Sequence, residues 1–256
     1  MIELINIKKS FNGLEVLKGL NCVIESGKAT VILGRSGCGK SVLLKLILRL
    51  ISLDDGKIII DNVDTSTFTE SEMQPIRKKI GILFQGSALF DSLTVEENVA
   101  YPLLEHERIP QEEIRRMVKE VLSFVELDGT QKMMPAELSG GMKKRVALAR
   151  AIINKPKYIF FDEPTTGLDP ITARRIDELI IRTTKEFGTT TVVVTHDLVS
   201  AFTVGDKFAF MHDGRIIFDG KPDEILRSDK PEIQAFIRES QWKRDSLQEK
   251  SAAAGL

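Results

Sequence analysis

Apolar positions along this chain recur at two periods, and segments of one kind alternate with segments of the other. Short runs of β-branched and apolar residues predict strands at 2–7, 23–24, 30–33, 57–60, 81–84, 158–161, 190–195, 207–212 and 216–220. Helical spacing falls between several of them, at 40–51, 111–125, 142–153, 173–187 and 198–204. Strands that alternate with helices predict an α/β fold around a largely parallel sheet. The opening segment 2–24, with Asn12-Gly13 as its turn, predicts an antiparallel β patch beside that sheet. Residues 86–155 carry helices and loops with almost no strand, which predicts an α-helical subdomain inserted into the sheet domain. The expected division is one domain over 1–240 and a polar tail over 241–256, frayed or dependent on a partner.

Composition narrows this picture without redrawing it. A chain of 256 residues can bury one large core, or one core plus a small subdomain. Charged residues make up 29% and hydrophobic ones 42%, an ordinary globular balance. The net charge of −1 gives no electrostatic reason to expect nucleic acid as a partner. The basic runs Arg77-Lys78-Lys79 and Lys143-Lys144-Arg145 are short and read as solvated helix faces. Cys22 and Cys38 make no disulfide framework, and a reducing compartment is expected. Residues 1–4 show no basic leader, and the most apolar helical stretch, interrupted by Lys45 and Arg49, is too short to cross a bilayer.

The chemistry begins at Gly34-Arg35-Ser36-Gly37-Cys38-Gly39-Lys40-Ser41, which fits G-x-x-x-x-G-K-[ST] at every fixed position between a strand and a helix. Glycines let backbone N–H groups turn inward around an anion, and the helix that follows adds the positive end of its dipole. Lys40 supplies a mobile charge for terminal phosphates, and Ser41 a hydroxyl ligand for Mg²⁺. The apolar run 158–161 ends in Asp162 and Glu163. Carboxylates at the carboxyl end of a buried parallel strand can hold Mg²⁺ through water (Asp162) and orient or deprotonate an attacking water (Glu163). Leu138-Ser139-Gly140-Gly141-Met142 opens a further helix that Ser139 can cap, with two glycines exposing N–H groups to an anion.

Together these residues resemble the ATP-binding cassette (ABC) ATPases, whose signature sequence usually has Gln where Met142 stands. The resemblance covers residues 1 to about 237 and includes the family's motifs in order. It implies a P-loop NTPase (RecA-like) core that binds ATP with Mg²⁺ and hydrolyses it. Phe11 looks like the aromatic that stacks on adenine, with Val16 nearby; a core phenylalanine in an N-terminal strand is the competing reading. Gln85 resembles the glutamine that reaches Mg²⁺ and senses the membrane partner. Gly167-Leu168-Asp169 resembles the loop that makes contacts across a dimer, and His196 the switch histidine on the γ-phosphate.

In the family the signature helix caps an ATP held by the other cassette, so one set of motifs implies a homodimer with two composite sites. Residues 84–91, 93–103, 138–151 and 169–172 look close to the ATPase of Mla-type phospholipid transporters. That likeness implies a peripheral subunit on the cytoplasmic face of the inner membrane, partnered by a transmembrane permease and an Mce-domain lipid-binding protein. A cassette for another importer, of polar amino acids or metals, and a soluble non-transport ABC ATPase stay open. A P-loop kinase would lack the signature and the histidine. Ala88-Leu89-Phe90 and Tyr101-Pro102-Leu103-Leu104 form an apolar, aromatic-bearing segment that is either a docking surface for the permease or a small core of its own.

Overall fold

The computed structural model of the protein describes residues 1–104 and 109–240, so the expected tail at 241–256 lies outside the described residues. Its first strands, β1 (Ile2–Phe11) and β2 (Leu14–Ile24), form a hairpin closed by Asn12 and Gly13, both at positive φ. β3 (Ala29–Leu33) leads through the glycine-rich loop into α1 (Lys40–Ile47). Next come β4 (Asp55–Ile60), β5 (Val63–Asp64), α2 (Glu70–Arg77) and β6 (Ile80–Leu83). The helices α3 (Val95–Leu104), α4 (Gln111–Phe124) and α5 (Gly140–Ile152) follow without an intervening strand among the described residues. β7 (Tyr158–Asp162), α6 (Pro170–Phe187), β8 (Thr190–Thr195), α7 (Leu198–Val204), β9 (Lys207–His212) and β10 (Arg215–Gly220) continue the alternation, and α8 (Pro222–Ile225) and α9 (Pro231–Glu239) end the described chain.

Two sheets result. One is 4-stranded and antiparallel in the order β2-β1-β4-β5; the other is 6-stranded in the order β10-β9-β3-β8-β7-β6, parallel except where β10 meets β9. The central strands β3, β7 and β8 are buried along their whole length, because both of their faces are covered, and most of their residues are apolar. Alternate residues of β7 enter different cores: Tyr158 and Phe160 pack with Ile2, Leu4, Leu43, Ile47 and Met73, between the large sheet and the antiparallel one. Ile159 and Phe161 point the other way, against Val99, Val118, Val146, Ile176 and Ala201 of the helical layer.

Several elements depart from the sequence expectation. The second strand is the full Leu14–Ile24 rather than residues 23–24, since its bulges at β1 break the alternation. The helix after the glycine loop stops at Ile47 instead of running to 51. Arg49 takes φ 56° there, and Leu50 N–H returns to the Lys45 carbonyl at 2.9 Å, closing the turn. The basic runs are not simply solvated. Arg77 donates to the Leu48 and Arg49 carbonyls at 2.9 and 3.1 Å, and the Lys144 side chain is buried.

Candidate functional site

The register of the parallel strands puts their carboxyl ends in one row. Leu33 lies opposite Thr195, Asp162 opposite Val194, and Leu83 opposite Phe161. The residues that come next, Gly34, His196, Glu163 and then Gln85, therefore emerge on one edge of the sheet, where α/β folds place their ligands. A cleft of about 500 Å³ opens there, lined by Phe11, Val16, Ser36, Gly37, Gly39, Lys40, Ser41, Val42, Gln85, Glu163, Thr166 and His196.

The glycine loop wraps the Lys40 ammonium, which donates to the carbonyls of Gly34 and Arg35 at 2.7 and 3.1 Å and lies 3.5 Å from Glu163 Oε1. Ser41 Oγ donates to Asp162 Oδ1 at 2.9 Å. Burial, together with the neighbouring Glu163 charge, holds the Asp162 carboxyl above its ordinary range despite the Ser41 hydrogen bond. Gly39 opens α1 with φ 107° and no side chain to cap the first turn. Cys38 in the same loop has its thiol pushed up by burial, against the pull of Lys40, which makes it a poor nucleophile. Arg35 turns away and pairs with Glu239 of α9 at 2.5 Å.

Glu163 is the hub of the cleft. His196 Nδ1 lies 2.8 Å from its Oε2, and Thr166 Oγ1 and Thr195 Oγ1 donate to the same oxygen at 3.1 and 3.4 Å. Its backbone sits at φ 49°, unusual for a residue with a side chain. Phe11 resolves its two readings by position: it is 42% exposed at the cleft rim, with the Lys9 ammonium 5.2 Å from the ring centroid, and is not a core residue.

Ser139, Gly140, Gly141 and Asp169 do not line this cleft. Ser139 caps α5 by accepting from Met142 N–H at 3.3 Å, and Asp169 caps α6 by accepting from Ile171 and Thr172 N–H at 3.1 and 3.0 Å. The two caps are neighbours, because a Cβ on Gly141 would come within 2.4 Å of Thr172 Cγ2. Ser139 and Gly140 are exposed, whereas Gly141 is buried.

Two residues at the site escaped the sequence reading. Thr166 lies one turn beyond Glu163 and holds its carboxylate. Lys144 donates from within α5 to the Gln85 carbonyl and, at 3.4 Å, to the Glu163 carbonyl. Burial lowers its pKa while the Asp162 and Glu163 carboxylates pull it back up. An apolar–polar pattern assigns a lysine to the surface, so only the three-dimensional position of the strand ends could have found it.

The profile of the ABC transporter family matches residues 17–166. The chain is 37% identical over 238 residues to the intermembrane phospholipid transport system ATP-binding protein MlaF of Haemophilus influenzae, covering 93% of this chain and 90% of that one. It is 38% identical over 236 residues to a probable ribonucleotide transport ATP-binding protein, mkl, of Mycobacterium tuberculosis, of whose length it spans 66%. Among solved structures, the dimeric ATP-binding cassette MJ0796 in a post-hydrolysis state with ADP and Pi superposes with a TM-score of 0.81 at 36% identity, covering 87% of this chain and 99% of that one. The fold recurs in a solved relative, the sequence similarity extends over most of the chain, and the chain belongs to the ABC transporter family.

Proposed function

We propose that this chain is the ATP-hydrolysing subunit of a transporter that moves phospholipid through a bacterial envelope, acting as a homodimer beneath a transmembrane permease with an Mce-domain lipid-binding protein. The observation that carries the ATPase reading is the convergence of Lys40, Ser41, Asp162, Glu163 and His196 on one cleft at the carboxyl edge of the sheet. The phospholipid reading rests on the MlaF relatives, which match over 82–90% of their length at 37–38% identity. No helix among the described residues is long and apolar enough to cross a membrane, which fits a peripheral subunit held by its partner.

The residues suit ATP and Mg²⁺. Gly39 holds φ 107°, a backbone conformation that a residue with a side chain takes only under strain, which leaves the loop backbone free to turn its N–H groups toward a phosphate. Ser41 and Asp162 offer hard oxygen donors 2.9 Å apart. With one carboxylate, they match Mg²⁺, which takes few protein ligands and completes its shell with phosphate and water. The bound ion would neutralise phosphate charge. Lys40 would exchange its two carbonyl partners for phosphate oxygens. Phe11 and Val16 would offer an apolar face to the base, and Gln85 would reach the ion from its loop. Glu163, steadied by Thr166, would orient a water and take its proton, while His196 would hydrogen-bond the terminal phosphate. Ser139, Gly140, Gly141 and Asp169 would serve the second cassette, since they do not line this chain's own cleft.

The deciding experiment is affinity capture of the tagged chain from its native membranes, with the co-purifying proteins and bound small molecules identified by mass spectrometry. A permease, an Mce-domain protein and phospholipid are expected. A permease accompanied by a ribonucleotide-, amino-acid- or metal-binding partner would replace the lipid reading, and capture of no membrane protein would point to a non-transport ATPase.

A further inference from the structure

The Lys144 side chain is 4% exposed, on a helix whose other long basic residues reach solvent or the surface loops. A buried ammonium is costly unless hydrogen-bonded, and this one spends its donors on two backbone carbonyls, those of Gln85 and Glu163. Those carbonyls lie at the ends of the neighbouring parallel strands β6 and β7. What they hold is unusual backbone. Glu163 sits at φ 49°, and its peptide is gripped on the other side as well, its N–H donating to the Val194 carbonyl at 2.9 Å. Beyond Gln85, Ser87 and Ala88 take φ 63° and 47°, and their carbonyls accept from Arg150, also on α5, at 2.9 and 2.8 Å. Left-handed conformations of non-glycine residues persist only where the surroundings over-determine them. Here one helix supplies the restraint for both loops.

We propose that Lys144 is a positioning residue for ATP hydrolysis: by fixing the Glu163 and Gln85 backbones to α5, it sets the catalytic carboxylate and the glutamine loop relative to the helix that begins at Ser139. That helix presents its N-terminus outward, so a displacement there is carried by Lys144 to this chain's own cleft. Lys144 is not among the residues that line the cleft, and its effect falls on turnover rather than on nucleotide affinity. The inference rests on Glu163 being the residue that activates water.

The test uses the full-length chain, with kcat and KM from phosphate release and affinity from titration with a non-hydrolysable ATP analogue. Lys144→Met, which keeps the length and loses the donors, should lower kcat about tenfold or more with affinity changed less than about twofold. Lys144→Arg, which keeps charged donors, should restore kcat to within about threefold of the parent. Parent-like kcat in the Met variant, an equal loss in the Met and Arg variants, or a loss of affinity matching the loss of kcat would each overturn the proposal. If the Met variant shows no cooperative urea transition, Lys144→Gln takes its place: with an uncharged, shorter amide donor, its kcat should fall clearly below that of the parent and of Lys144→Arg, and a parent-like value counts against the proposal. Glu163→Gln in the same assay separates the two readings. A Gln variant that still hydrolyses ATP removes the assignment of Glu163, whereas an inactive one beside an active Lys144→Met removes only the role of Lys144.

Discussion

Gly39 and Glu163 both sit in the left-handed backbone region, at φ 107° and 49°. At φ 107° an alanine at 39 would be strained, and its Cβ would lie 2.8 Å from Leu17 Cδ2 and 3.0 Å from Met211 Cε. Gly39→Ala is expected to cost about 1–3 kcal/mol in urea denaturation and to weaken ATP binding, because an alanine is strained at φ 107° and the loop backbone shifts to relieve it. A variant with parent-like stability and affinity would show that the loop is not tightly seated. Glu163→Gln is isosteric and still accepts from Thr166, so the fold and ATP binding should survive. Hydrolysis should fall about 10²–10⁴-fold, since an amide cannot take the proton. Residual turnover near the parent rate in a phosphate-release assay would move the base elsewhere. The loop Gly34 to Ser41 and the pair Asp162-Glu163 were legible in the sequence because their function demands fixed residue types at fixed spacing. Lys144 was not, because its role depends on two carbonyls that are distant in sequence, and a carbonyl has no residue type.

At the scale of elements, α6 and α7 share an apolar core and a buried polar pair, in which Ser200 Oγ donates to Asp177 Oδ1 at 2.5 Å. Burial pushes the Asp177 carboxyl up to about 6 from an ordinary 3.8, and the charges of Asp197 and Glu178 add to the shift while Ser200 opposes it. The folded chain therefore binds this proton more tightly than the unfolded chain. The contribution to stability is greatest below about pH 4 and is lost as pH rises through 6. Asp177→Asn keeps an acceptor for Ser200 and removes the buried charge. It should raise stability at pH 8 by about 1–3 kcal/mol and change it little at pH 4. Urea midpoints of parent and variant at the two pH values give the comparison, and an equal gain at both would assign the effect to something other than this proton. Elements were readable from sequence where period and length agreed, as for α4 and β8. The helices α2 and α3 were passed over although each opens with a capping box, Thr69 with Glu72 and Thr94 with Glu97. Pro75 and Pro102 inside them disfavour helix, and local capping together with the buried faces of Met73 and Val99 outweighs that.

At the scale of the whole molecule, surfaces are left for two partners. In the proposed assembly the exposed N-terminus of α5 would meet the second cassette, and a groove of about 480 Å³ beside the glutamine loop would take a permease helix. That groove is lined by Ala88, Phe90, Tyr101, Pro102 and Arg150, with the Phe90 and Tyr101 rings 4.6 Å apart. The two sequence readings of this segment divide by residue: Leu103 is buried in the helical core and Leu89 packs partly against it, whereas Phe90 stays 42% exposed. Phe90 is also held independently of its side chain. Its N–H donates to Asn98 Oδ1 at 2.8 Å, and its carbonyl accepts from Asn98 Nδ2 at 3.0 Å. Phe90→Glu should therefore leave the loop, the fold and ATP affinity close to the parent while placing a charge in an apolar docking surface. Co-purification with the permease is expected to drop about tenfold or more, a loss of roughly 1.4 kcal/mol or greater for a helix seated against that ring. ATP affinity of the free chain, measured alongside, should change less than about twofold, because Phe90 is not among the residues that line the nucleotide cleft. Undiminished co-purification would leave the groove without a partner. A joint loss of both would mean that the glutamine loop, which connects Gln85 to Phe90, transmits the change inward.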